Sequence, residues 1–472
     1  MGRRYQCAGL LAMALVLAGC ASVKLNAGFD DVSAVVEQRS RSRIFWHNGT
    51  ELDREAVAKL RSLLDDKLTA ERALQIALLN NRDLQAVYSD LGVSQADLVQ
   101  AGLLKNPIFD AAVRFPVSGG RPDWDIATAM NFLDVFYVPL RQRVAAARFE
   151  ETKLSVTGVV LDFSARVRAA FFTHQANEQM LELRKSILQG LVASMELARR
   201  LREAENISDL DFARERAVAE AGRLALRSAE VGVRQGREEL NTLMGLWGPD
   251  TAWEIDGHLP ELPREPEPTD RLEPLALTRS VDLAHARQRI LVAGEQLGVN
   301  RATALIPELH LGANGERSGG YWDVGPVIEF PIPLFDQGQA RVARAAAELR
   351  RAQQEYYALA VRVRSTARAV RDRLEGARDR ALYYRDILLP LHERIVNEAQ
   401  LHYNAMQLGP VQLLRAREQQ IATGVAYVEA LRDHWLARID FEQIASGRLP
   451  RIRGVQSGRT PAQLNTNDRE GH

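Results

Sequence analysis

The residue types that do chemistry are present in this sequence, but not in the patterns that chemistry needs. Nine histidines are scattered along the chain. None falls in an H-E-x-x-H or comparable ligand spacing, so no metal site is legible. There is no phosphate-cradling glycine loop, nucleophile elbow or dinucleotide fingerprint. The carboxylates sit mostly beside arginines on helical faces, where they read as solvated pairs. Two cysteines, Cys7 and Cys20, lie near the start and leave no disulfide framework for the rest. The reading is of a protein that is not an enzyme and has no cofactor. The 61 basic and 61 acidic residues cancel, which removes the electrostatic case for nucleic acid as a partner.

One reactive group is placed with purpose. Arg3 and Arg4 precede an apolar stretch, Ala8 to Ala18, that is too short to span a bilayer. It ends Leu17-Ala18-Gly19-Cys20, which resembles the bacterial lipobox, where a peptidase cuts before the cysteine and the thiol carries a diacylglycerol. Residues 1–19 are therefore expected to be a lipoprotein signal peptide, with Cys20 lipidated as the one covalent addition. Ala21 stands where an aspartate retains enteric lipoproteins at the inner membrane, which favours the outer membrane.

The elements behind these residues are dominated by one stretch, Val327 to Pro410. It opens as a strand, turns through P-I-P-L-F-D-Q-G (331–338), and then runs helical. Apolar residues recur at seven-residue steps: Val342, Leu349, Tyr356, Val363, Val370, Ala377, Tyr384, Leu391. Companions follow three or four residues on, from Ala345 to Ile395. Such a repeat packs a helix along its whole length with left-handed supercoil. The helix would be roughly 100 Å long at 1.5 Å per residue. Pro390 lies inside it and should kink it or remove one hydrogen bond.

The same order appears earlier: strand, Pro139-Leu140, then a long amphipathic helix through Phe149, Val156, Phe163 and Ala170. The chain is internally duplicated. Ala77-Leu78 and Asp83-Leu84 return as Ala276-Leu277 and Asp282-Leu283, and Pro107 returns as Pro307. The expected organisation is a lipidated lead-in (20–70), repeat 1 (71–248), a Pro-rich linker (249–270), repeat 2 (271–448) and a polar tail (449–472). Within the lead-in, Ile44-Phe45-Trp46 is expected to pack. Each repeat should hold a helix, a β-hairpin, a long helix and a last helix. Glu71 to Lys105 is expected as one helix.

The hairpins alternate strictly. Phe109 and Val113, then Met130 and Phe132, share one face of the first; Leu309 and Ile328 match them in the second. Polar or small residues lie opposite. The strands are expected at about 9–11 residues, the length of a transmembrane β-strand, with the apolar face toward lipid. Four strands cannot close a barrel, and open edges are not tolerated in lipid. Three chains sharing one barrel would give twelve strands around a lumen. The breaks at Ala204–Leu210 and Ala405–Val411 then lie far from the strands. Tyr403, Gln412 and Arg415, with Asp211 and Arg214, are the candidates to close such a lumen at these tips; the alternative is that they are solvated charges at a helix start. A coiled-coil periplasmic lipoprotein without a pore is the alternative, but it leaves the one-sided hairpins unexplained.

Several runs resemble the TolC-type outer-membrane efflux proteins, particularly their lipoprotein branch. They are A-L-L-N-N-R-D-L (77–84), L-L-K-N-P (103–107), P-I-P-L-F-D-Q-G (331–338), S-D-L-D-F-A-R-E-R-A (208–217) and Y-N-A-M-Q-L-G-P-V-Q-L-L-R-A (403–416). The resemblance implies a mainly α fold with membrane β: a homotrimer with a twelve-stranded outer-membrane barrel continuous with a twelve-helix periplasmic tunnel. It implies an exit duct for an inner-membrane pump, joined through a periplasmic adaptor. Tyr403 matches the family's tip tyrosine; Arg202 takes its place in repeat 1. Glu205 and Met406 stand where the family's tips carry glycine, which predicts a different turn into the next helix. Gln412 and Arg415 stand where some members place constricting aspartates, so no acidic gate is expected there.

Overall fold

A computed structural model describes residues 24, 26–47, 49, 51–115, 117, 119, 121–318 and 320–450. The expected signal peptide, Cys20 and the stretch beyond residue 450 lie outside the described residues. The elements are α1 (Phe29–Ser40), α2 (Glu51–Leu64), α3 (Ala70–Asn80), α4 (Arg82–Ala101), β1 (Ile108–Arg114), β2 (Asp123–Asn131), α5 (Asp134–Glu203) and α6 (Asp209–Met244). Repeat 2 follows with α7 (Leu272–Arg279), α8 (Val281–Ala302), β3 (His310–Ser318), β4 (Tyr321–Glu329), α9 (Gln339–Tyr383), α10 (Leu389–Asn404) and α11 (Pro410–Ala445).

The stretch expected as one helix from Glu71 to Lys105 is two. Asn81 breaks it with an extended backbone and caps α4, its side chain accepting from the Leu84 amide at 2.9 Å. Ser280 does the same at the α7–α8 junction, accepting from Leu283 at 3.0 Å. The repeated Asp-Leu pairs thus mark a repeated cap. A side-chain oxygen satisfies an orphan helix amide, and the following leucine turns into the core.

α5 is a single helix of 70 residues that carries Pro139 in its first turns. Its upper part meets α4, where Thr152 and Ser94 hydroxyls lie 3.2 Å apart. Its lower part meets α6, where Asn177 donates to the Gly232 carbonyl at 3.1 Å. Two short helices end to end therefore match one long one. In repeat 2 the seam buries Ala345, Ala352, Val363, Val370, Leu374, Ala377 and Ala381, the three-and-four spacing of a heptad. The seven-residue series does not hold to its end. Residues Tyr384–Leu388 form a π turn before Pro390, which adds a residue to the turn and rotates the face. Leu391 and Ile395 are left exposed and Val396 is buried instead. The helix continues past the proline because the wider turn accommodates its missing N–H.

The Pro-rich segment joins the repeats as a fixed strap. Leu259 and Leu262 are buried against Ala381, Leu431 and Trp435. The Trp435 indole donates to the Pro260 carbonyl at 3.0 Å, and Arg378 donates to the carbonyls of Pro263 and Arg264, both at 3.0 Å. Proline removes backbone donors, so such a strap lies on helices through side chains and carbonyls. Nearby, Phe29, Trp46 and Tyr88 form an aromatic cluster that seats the lead-in. The end of α11 is clasped by Arg448, which pairs with Asp162 of α5 (2.6 Å) and with Asp282 of α8.

Candidate functional site: a one-sided sheet and two helical tips

The four strands form one antiparallel sheet in the order β1-β2-β3-β4, so the two hairpins join through β2 and β3. β1 has seven residues and the others nine, so β1 falls short of the 9–11 expected. Among the described residues, the edges of β1 and β4 have no neighbour.

Register fixes which residues share a face. Phe109 opposes Thr128 and Val113 opposes Trp124. Met130 opposes Leu311, which opposes Ile328. Phe132 and Leu309 extend that row, bonded backbone to backbone at 2.8 Å. Phe109, Val113, Met130, Phe132, Leu309 and Ile328 therefore lie on one face, and Phe109 and Ile328 are about two-thirds exposed. Apolar side chains left open on one side of a sheet need another cover.

The opposite face is acidic. Asp125 opposes Glu316, which opposes Asp323, so three carboxylates stand abreast on three strands. Arg114 reaches Asp125 at 3.4 Å. Directly opposed like charges cost a sheet roughly 0.2–1 kcal/mol per pair, which a sheet under no other demand would avoid.

At the other end are the two tips. Both long helices end in a left-handed residue, Glu205 and Met406, each with φ 58°. Asn206 donates to the Leu201 carbonyl (2.8 Å) and Glu205 to that of Arg202 (2.9 Å). Gln407 and Met406 do the same to His402 (2.9 Å) and Tyr403 (3.0 Å). This is the Schellman closure that glycine normally makes. The different turn expected from the missing glycines is not found. The six-to-one bond forces positive φ whatever side chain is present, and both side chains point into open solvent.

The starts of the next helices do differ. Ser208 caps α6 by accepting from the Asp211 amide at 3.1 Å, and its hydroxyl donates to the Asp211 carboxylate at 2.7 Å. Asp211 also meets Arg214 at 3.3 Å, so these two tip candidates are engaged with each other. In repeat 2, Gly409 caps α11 with Pro410 at its first turn. Gln412 folds back over Gly409, close enough that a Cβ there would come within 2.7 Å of its Oε1. Arg415 is exposed. Tyr403 lines a cleft between the two tips, beside Glu215 and Glu418. Sequence reasoning missed those two carboxylates, because a single glutamate on a helix face has no distinguishing neighbour in sequence. None of the helices is long and apolar enough to cross a membrane among the described residues.

No family model matches the chain. It is 24% identical over 382 residues to the cobalt-zinc-cadmium resistance protein CzcC of Cupriavidus metallidurans, covering 80% of this chain and 90% of that protein. It is 27% identical over 308 residues to the probable efflux pump outer membrane protein TtgC of Pseudomonas putida, covering 58% of this chain and 61% of that one. Among solved structures, the outer-membrane channel OprN superposes with a TM-score of 0.65 at 17% identity, over 82% of this chain and 92% of that chain. The outer membrane protein VceC of Vibrio cholerae gives 0.64 at 17% identity, over 83% and 97%. The fold is that of the outer-membrane efflux channels. Sequence relatives and structural neighbours converge on the TolC-type outer-membrane efflux proteins, the family that the motifs resemble.

Proposed function

We propose that this chain is the outer-membrane exit duct of a tripartite efflux system, passing substrate from an inner-membrane pump across the periplasm and outer membrane. The observation that carries this is the sidedness of the sheet: one face apolar and open, the other acidic, with two free edges above helices of roughly 100 Å. A pore-free periplasmic scaffold needs no such sheet.

Three copies close the edges. The strands alternate direction, so a β4 edge meets the β1 edge of the next copy antiparallel, and twelve strands enclose a lumen. Twelve helices, counting each end-to-end pair as one, continue it as a tunnel. Phe109, Val113, Met130, Phe132, Leu309 and Ile328 face lipid. The carboxylate rows face the lumen and favour cations, as rings of Asp and Glu do in cation channels. Adaptor and pump engage from the tip end, where Tyr403, Gln412 and Arg415 with Asp211 and Arg214 are the gate candidates.

The lipid on Cys20 fits this placement. Gly28 sits against Phe149, and Asp31 pairs with Lys153 at 2.9 Å. Phe149 is roughly 22 Å below the start of α5 by helix rise. The eight residues from Cys20 to Gly28 span at most about 28 Å, which reaches the foot of the sheet.

Planar-bilayer recording of the purified protein tests the reading. It predicts discrete channels whose reversal potential in a salt gradient is cationic, with the preference reduced in Glu316→Gln/Asp323→Asn. Absence of any conductance from folded, membrane-inserted protein favours the scaffold instead.

A further inference from the structure

The tip cleft has features that the duct does not require. It encloses about 560 Å³ between the two helical tips. Ile187 and Leu191 of α5 form one wall; Leu413 and Ile421 of α11 form the other. Ile187 and Leu413 are buried. Glu215 of α6 and Glu418 of α11 line it together, and neither has an ion-pair partner among the described residues. Burial first, and then the neighbouring acids Glu418 and Asp211, raise the Glu215 carboxyl. The volume lies in the ordinary range for small-molecule sites, which pair an apolar lining with a few polar groups. With Arg417 as the one cation on the same lining, the two carboxylates leave the cleft one negative charge in excess.

We propose that this cleft binds a lipophilic organic monocation, its charge between Glu215 and Glu418 and its apolar body between the leucine and isoleucine walls. Tyr403, on the same lining, offers a ring to the cation. Arg417 also lines the cleft and disfavours a second positive charge, so the ligand is singly charged. The proposal rests on the cleft alone and stands or falls separately from the duct reading.

Titration calorimetry of the full-length protein in non-ionic detergent tests it, with tetraphenylphosphonium as the probe and tetraphenylborate as a matched anion. Tetraphenylphosphonium should bind saturably, once per chain, and tetraphenylborate should not. Glu215→Gln and Glu418→Gln should each weaken binding at least about tenfold, or 1.4 kcal/mol. Gly190→Leu leaves both carboxylates in place; nothing lies within 4 Å of a Cβ there, so the larger side chain fits and fills the cleft. It should abolish binding while the helical circular dichroism is unchanged. Binding should also weaken from pH 8 to pH 5. The Glu215 carboxyl is held above the usual range by burial first, then by Glu418 and Asp211. The other ionisable groups facing it are Arg417 and Tyr403, and the α5 wall presents no charge. Equal binding of the two ions, native affinity in both glutamine variants, or undiminished binding in Gly190→Leu would each overturn the proposal.

Discussion

Two kinds of residue carry strain that single substitutions can read out. Glu205 and Met406 hold left-handed backbones without being glycine, at roughly 1–2 kcal/mol each. Met406→Gly should relieve about 1 kcal/mol and slow protease nicking at that tip several-fold; Met406→Val should speed it. Equal rates in all three proteins would remove the strain argument. The second kind is His174 and His434, both buried, with ring nitrogens that have no hydrogen-bond partner among the described residues. Burial pushes each down to about 4; Arg237 adds to this at His174, and Arg378 and Arg438 add at His434. Their folded pKa is below the unfolded value of 6.5, so between these pH values the unfolded chain binds more protons. Stability is full above about pH 6.5 and falls as pH drops toward 4, by roughly 3 kcal/mol per ring. Thermal melts of His434→Phe should show a shallower loss on acidification than the native protein, and an unchanged slope would contradict this. The family motifs located the two tips, but the turn expected there from the missing glycines was not the one found. The histidines were not legible, since burial of a single ring depends on helices that meet far apart in sequence.

The elements were the most legible level, because each is set by a local period. Alternation located both hairpins, and the register then put all six apolar candidates on one face. The heptad located the long helix but not the π turn at Tyr384–Leu388; the neighbouring Pro390 announced a disturbance there without fixing its form. The Pro-rich composition announced a connection between repeats. Its seating depends on Arg378 and Trp435, more than a hundred residues on. Two tests belong here. Val113→Lys and Ile328→Lys should cost roughly 2–4 kcal/mol near the bilayer midplane and lose the heat-resistant oligomer on gels; retention of that band in both would move this face out of lipid. Arg448→Leu leaves Asp162 and Asp282 facing each other without their cation, a loss of roughly 3–5 kcal/mol. Adding Asp162→Asn and Asp282→Asn should restore most of the melting temperature. No recovery would mean that the clasp works through packing rather than charge.

At the scale of the whole molecule, sequence carried the duplication and the division into a β end and a tip end. It could not carry closure, which depends on edges that one chain cannot satisfy. The central claim is that the β1 and β4 edges are satisfied by neighbouring copies and that the ring closes at three. Disulfide trapping tests it, since the chain has no cysteines besides Cys7 and Cys20. Cysteine at Ala111 of β1 is combined in turn with cysteine at Trp322, Val324, Pro326 or Ile328 of β4, all on the same face by register. Oxidation in native membranes should give, at one of these positions, a covalent ladder that stops at three chains. A ladder that stops at two, continues beyond three, or forms at none of the four positions would contradict the account.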